Sequence, residues 1–402
     1  MKKRYLVIGS LAFFQFIGHA QSDTIIERVN KTEIELVYNH YSQDGNNSAV
    51  TGGIGTEKLI VYGPMLNVKR NYDKNAMAYN MGVDIISSAS TDKIDYVMSS
   101  ASSLDARSYL NATYERTFKD KSLIIYGGTG FSIESDYFSI GSKIGVIKDD
   151  KKRLRTYNAQ FQLFNDDLRW GRLSSKTGGA LKLIYPFELR NQQWYDEYKR
   201  NTFNLKFGVT QVLNKRNILG IFPDFTVQKG LLATPFHRIY FNDGSKRVEQ
   251  LPYKRLKGAV GVRLNSFYGG RLILKNTING YADTWKIYAF SFENEIAFKL
   301  NHQFTFIPNF RVYAQSASPF FEEYGMHDPD SEYYTSDFDL NKIQTYNSGF
   351  GIRFSPIKYI SKSEIFNSLL IKYNYYHRSN DLNAHIFTIA VQMEFLNQEL
   401  KK

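Results

Sequence analysis

The stretch HIFTIAVQMEF, His385 to Phe395, alternates without a break. Phe387, Ile389, Val391, Met393 and Phe395 fill every second position, and Thr388, Ala390, Gln392 and Glu394 stand between them. Successive side chains of a strand point to opposite faces, so this segment reads as a strand with one apolar face and one small or polar face. It ends on an aromatic, in a chain whose mean hydropathy is only −0.39.

The same period of two recurs upstream. Tyr157, Ala159, Phe161 and Leu163 oppose Asn158, Gln160 and Gln162. Phe203, Leu205, Phe207 and Val209 oppose Asn204, Lys206 and Gly208, and Phe290, Phe292, Ile296 and Phe298 oppose Ser291, Glu293 and Glu295. Carried through the chain, the pattern predicts sixteen strands: 33–42, 58–70, 76–87, 106–118, 122–134, 136–148, 153–164, 201–213, 217–228, 256–266, 270–281, 285–299, 303–315, 344–355, 366–378 and 384–395.

Alternation suits a soluble sandwich, whose apolar faces share a core, or a membrane barrel, whose apolar face meets lipid. Segments of about ten to thirteen residues fit a tilted membrane strand better than the shorter strands of globular sheets. The connections also alternate in length. Short turns fall at 73–75, 118–121, 149–152, 214–217, 267–270 and 300–303, whereas the longest connections, 88–105, 165–200, 229–255 and 316–343, fall in the other set. Outer-membrane barrels have short periplasmic turns and long extracellular loops. The expected fold is therefore an all-β, antiparallel up-and-down transmembrane barrel of about sixteen strands.

The start of the chain predicts the compartment. Lys2, Lys3 and Arg4 precede an apolar run from Tyr5 to Ile17 and the small residues Gly18 and Ala20, the order of a secretory signal cleaved after Ala20. Losing it would bring the formal net charge from +12 to +9. The expected organisation is a signal peptide at 1–20 and a barrel domain at 21–402, in the outer membrane of a Gram-negative envelope. The chain has no cysteine, which excludes disulfide and thiolate chemistry, and aromatics make up 15% of it. In such barrels the last strand ends in an aromatic that the assembly machinery recognises. Thr388, Ala390, Met393 and Phe395 supply the polar, small, hydrophobic and aromatic positions of that signal, with Ala390 where glycine is usual.

Several stretches carry a resemblance. DIISSAST (84–91), SSASSLDARS (99–108), SIESDYFS (132–139), LPYKRLKGAVGVRLN (251–265), YADTW (281–285), FRVYAQSASPFF (310–321) and TSDFDL (335–340) occur in order. Together they resemble bacterial outer-membrane proteins of the domain-of-unknown-function 3570 family; Asn279 departs from that pattern, where arginine is common. The resemblance implies a barrel over nearly the whole chain and supplies no activity. That its members are encoded near redox or flavin-transfer proteins hints at an envelope redox partner.

Continuing the alternation turns Asp84, Arg107, Glu115, Glu134, Asp136, Arg263, Glu293, Glu295, Arg311, Arg353 and Lys372 inward, together with Asn309 and Tyr313. Charges of both signs suit a water-filled pore with opposed walls. They equally suit a paired network that fills and rigidifies the interior. In the loops, Asp328, Asp330 and Glu332 alternate and form a weak candidate cation site. Trp170, Trp194, Tyr195 and Tyr198 beside Arg169, Arg172 and Arg190 suit either a contact patch or an aromatic girdle.

No HExxH or GxSxG motif is present, His377 on the apolar face reads as an interfacial anchor, and the basic residues form no patch. The sequence thus predicts a non-enzymatic barrel without cofactor and without nucleic acid. Its expected partners are outer-membrane lipid, the barrel-assembly machinery and, in one reading, an envelope protein. The leading expectation is a porin-like conduit for small polar solutes. The alternative is an accessory barrel with a charge-filled lumen that docks a surface lipoprotein or redox protein.

Overall fold

The computed structural model describes residues 30–88, 104–118, 122–134, 137–150, 152, 154–168, 173–174, 182–183, 199–234, 237–356, 358–361 and 363–396. The expected signal peptide and Asp136 lie outside this set, as do the loop aromatics Trp170, Trp194, Tyr195 and Tyr198 with Arg169, Arg172 and Arg190.

Sixteen long strands form one antiparallel sheet. They are β1 (Lys31–Asp44), β2 (Leu59–Tyr72), β3 (Asn75–Ser88), β4 (Leu104–Thr117), β5 (Leu123–Glu134), β6 (Tyr137–Asp149), β7 (Arg155–Asp167) and β8 (Lys199–Val212). The second half comprises β9 (Asn217–Gly230), β10 (Lys254–Tyr268), β11 (Leu272–Asp283), β12 (Tyr288–Lys299), β13 (Phe304–Gln315), β14 (Ile343–Phe354), β15 (Glu364–Arg378) and β16 (Leu382–Leu396). Each pairs with its sequence neighbours, and β1 pairs with β16 from Lys31↔Leu396 to Asp44↔Asn383. The sheet therefore closes on itself and leaves no open hydrogen-bonding edge.

Every predicted strand is present. Several run further than predicted: β7 reaches Asp167, β8 starts at Lys199 and β10 at Lys254, and β11 ends at Asp283. One starts later. The strand expected from 285 begins at Tyr288, because the Asp283 carboxylate accepts the backbone N–H groups of Trp285 and Ile287 and holds a turn there.

Alternation sorts the two faces. The outward face is apolar and exposed: Leu36, Ile144, Val260, Phe225 and Phe290 all point away from the interior. Exposed aromatics collect towards both ends of the wall, with Tyr62, Tyr288, Tyr346 and Tyr375 at the long-loop end and Phe118, Tyr268 and Phe304 at the short-turn end. An apolar band between two aromatic rims matches a hydrocarbon layer between two interfaces.

The buried apolar clusters of the described residues sit at the long-loop end. Leu231, Ala233 and Leu251 of the β9–β10 loop pack with Leu168 and Trp285, and Phe320 and Leu340 of the β13–β14 loop close over them. A short hairpin, 238–240 with 246–248, lies within the β9–β10 loop. Its Ile239 and Phe241 pack on Tyr334 of the β13–β14 loop. Backbone bridges Phe241↔His327 and Gln250↔Tyr334 join the two loops. The β1–β2 loop reaches the same assembly. Gly52, at φ +82, lies against Tyr240, and Gly53, at φ +94, against Phe338; a side chain at either would collide there and strain the backbone.

Candidate functional site

Many of the inward charges form pairs. Arg107 Nη1 lies 3.8 Å from Asp84 Oδ2, and Lys69 Nζ lies 3.1 Å from Glu115 Oε2. Lys206 lies 3.6 Å from Asp224. Glu295 receives Lys275 at 2.9 Å and Lys372, three strands away, at 3.8 Å. Arg263 donates to Thr277 across the ladder. Arg311 stands opposite Glu293 and lies over the Tyr313 ring, 5.8 Å from its centroid. Arg353 stands opposite Thr305 in the ladder, and Glu134 is buried where β5 ends.

Amides join these pairs into rows. Asn67, Asn80 and Asn111 hydrogen-bond in sequence across β2, β3 and β4, and Glu35 accepts from Asn67. Asn374 donates to Asn309 and to Asn347 at 2.5 and 2.7 Å. It reaches Asn309 by crossing Gly349, the residue between them in the ladder. A Cβ there would stand 2.2 Å from the Tyr373 carbonyl oxygen and 2.6 Å from the Asn374 amide, so only glycine permits the crossing.

Exposure distinguishes a filled interior from a hydrated one. In the five ion pairs of the inward wall, side-chain exposure runs from 19% at Glu115 to 49% at Lys206. Water therefore reaches these charges, and each pair costs much less to hold than one sealed in protein.

At the long-loop end three pairs have one partner almost fully buried. Asp166, 4% exposed, holds Arg200 at 2.7 Å. Asp283, fully buried, accepts from Arg255 and from the Tyr281 hydroxyl, and Arg255 stacks 4.1 Å from the Trp285 centroid. Arg378, 3% exposed, holds Asp339 of the β13–β14 loop at 2.6 Å. These residues anchor the loop assembly to the wall. Sequence reading passed over Asp166, Arg200, Arg255 and Asp283 because each lies one or two residues beyond a predicted strand end. The usable signal was that the alternation continues through them.

The closing strand places its expected recognition residues along the seam. Thr388 donates to Asn39 at 2.8 Å, Ala390 is buried opposite Val37, Met393 stands opposite Ile34, and Phe395 opposite Thr32. On the outer face, His377 bonds Asn383 and His385 bonds the Tyr373 hydroxyl, both at 2.8 Å.

In the loops, Asp328, Asp330 and Glu332 do not gather. Asp328 instead accepts the Asp330 N–H in a local turn. Among the described residues, the histidine and carboxylates brought together are His237, Glu249 and Asp337, with ligand atoms within 4.8 Å of one another. Sequence alternation cannot reveal this group, since its members come from two loops far apart in the chain. Burial alone raises the pKa of Glu249, but the charge of His237 and hydrogen bonds from His237, Thr335 and Thr234 outweigh it, so the carboxyl lies below its usual range. Burial lowers the His327 pKa.

Comparison with solved structures finds distant matches along most of the chain. A bacterial polysaccharide outer-membrane secretin shares 10% identity at TM-score 0.45, covering 93% of this chain and 100% of its own. The BenF-like porin from Pseudomonas fluorescens Pf-5 shares 8% at TM-score 0.42, covering 90% and 99%. Pseudomonas aeruginosa OccK2 (OpdF) shares 6% at TM-score 0.43, covering 91% and 98%. A search of curated proteins finds no match. The family model described as "Protein of unknown function (DUF3570)" matches residues 4–388, nearly the whole length, and the chain belongs to that family.

Proposed function

We propose that the protein is an outer-membrane conduit for small polar solutes, exported by a cleaved signal peptide and inserted by the barrel-assembly machinery. The observation that carries this reading is the partly exposed inward wall: ion pairs along a sixteen-strand barrel that are a fifth to a half exposed. Barrels of this strand number have room for an aqueous channel. Rows of alternating charge and amide favour dipolar or zwitterionic solutes over apolar ones, because each row offers a donor and an acceptor together. No catalytic step is assigned.

The buried loop assembly favours a second reading. Arg378–Asp339, Arg255–Asp283 and the Leu231–Trp285 cluster tie the loops down at one mouth. A mouth held in this way suits an accessory barrel that presents its loops to an envelope partner.

Planar-bilayer recording separates the two. The conduit reading expects discrete conductance steps from the purified protein, with reversal potentials shifted towards cations in Arg311→Ala. A reconstituted, heat-modifiable barrel that passes no current would overturn it and favour the docking reading.

A further inference from the structure

We propose that His237, Glu249 and Asp337 form a divalent transition-metal site that ties the β9–β10 loop to the β13–β14 loop. The hairpin creates half of it. Arg238 pairs with Val248, and beyond that pair Glu249 N–H donates to the His237 carbonyl at 3.2 Å, which sets the two side chains next to each other. Asp337 completes it from the other loop. It caps the one-turn helix Phe338–Leu340, its Oδ1 accepting Asp339 N–H at 2.7 Å, and its Oδ2 lies 3.9 Å from His237 Nδ1.

The ligand atoms are close enough to converge on one ion, all within 4.8 Å of one another. His237 Nδ1 stands 3.2 Å from Glu249 Oε1 and 3.9 Å from Asp337 Oδ2. Donors about 2.0–2.2 Å from a tetrahedral zinc stand roughly 3.3–3.5 Å apart. The donor set is one imidazole and two carboxylates, and imidazole favours zinc and its neighbours over calcium or magnesium. His237 and Glu249 are almost fully buried, at 3% and 2% exposure, and Asp337 is the open side, at 15%.

An outer shell already orients the carboxylate. Thr335 Oγ1 donates to Glu249 Oε1, and Thr234 N–H donates to Oε2, each at 2.5 Å. Asp337 N–H in turn donates to Thr335 Oγ1 at 3.0 Å, so one hydroxyl links both acidic ligands. Such partners fix a ligand's direction before the ion arrives. His237 Nδ1 is the ring nitrogen that faces both carboxylates, so it is the one that would take the ion; Nε2 lies buried on the other edge of the ring. The motif TSDFDL, 335–340, contributes both Thr335 and Asp337.

The site is independent of the conduit reading, because its test measures binding rather than conductance. Detergent-solubilised full-length protein, treated with EDTA and dialysed, is titrated with Zn²⁺ alone. The wild type should take up one saturable equivalent, and Zn²⁺ should slow proteolytic cleavage within 231–253 and 316–342. Asp337→Asn keeps the helix cap, and His237→Ala removes the imidazole; each should weaken uptake by at least about 100-fold. Thr335→Val should weaken it by about 10–100-fold, the usual effect of losing an outer-shell partner. Variants are compared only as heat-modifiable barrels. A folded wild type without a saturable equivalent, or a folded His237→Ala protein that binds like the wild type, overturns the site.

Discussion

At the scale of single residues, the determining positions are those whose side chains cross from one strand to another. Gly349 is one: Asn374 reaches Asn309 only because nothing projects from the residue between them. Gly349→Ala should push Asn374 off that path and break the row. Overpacking of this kind costs about 1–3 kcal/mol, expected as a lower midpoint for unfolding in detergent and urea. An unchanged midpoint would show that the wall relaxes around the added methyl. His327 is a second. Its ring packs on Phe241 and Tyr334, its Nε2 meets the Ser336 hydroxyl, and burial lowers its pKa, so the folded loops favour the neutral imidazole. A depressed imidazole pKa means that this stabilisation is complete above the ordinary value of 6.5 and is lost as pH falls below it. Protease cleavage within 316–342 should therefore accelerate as pH drops from 7 towards 5. In His327→Phe that acceleration should shrink; equal acceleration in both proteins would assign the effect to another group.

At the scale of elements, the closing strand bears on assembly. Phe395 stands opposite Thr32 at the end of a fourteen-residue seam, on the outward face with Met393 and Val391. Phe395→Ala should lower the yield of folded barrel while leaving export across the inner membrane intact, measured as heat-modifiable protein against total periplasmic and membrane protein. Normal yield would remove Phe395 from the recognition signal. The strands show why the fold was legible and the loop site was not. A period of two survives any local irregularity, since a one-residue slip would turn Phe387, Ile389 and Val391 towards water and Thr388 and Gln392 towards lipid. Strand ends lose the apolar half of that signal. Asp166, Arg200, Arg255 and Asp283 read as turn residues, and they proved to be the buried pairs beneath the loops. The loop contacts have no period. Glu249 and Asp337 meet because two separate connections share the mouth, which one sequence does not encode locally.

At the scale of the whole molecule, the most deeply buried charges collect beneath the loops. Asp166, Asp283 and Arg378 are at most 4% exposed, whereas the inward pairs along the wall are a fifth to a half exposed. In the conduit reading, resistance to passage is concentrated at the long-loop end. Replacing 320–338 with a short Gly-Ser linker should raise single-channel conductance several-fold without abolishing heat modifiability. Unchanged conductance would locate the constriction in the wall. The seam has a consequence of a different kind. Lys31 and Leu396 are ladder partners, so the first and last strands start and finish side by side, and a few linking residues would join them into a ring. A ring of sixteen equivalent neighbours has no intrinsic beginning. Cut instead at 269–271, the permuted chain would start on β11 and finish on β10, whose last residues are Phe267 and Tyr268. Such a permutant separates the geometry of closure from the identity of the strand that performs it: if it still folds, the order in which strands are delivered matters less than the aromatic terminus each new last strand presents.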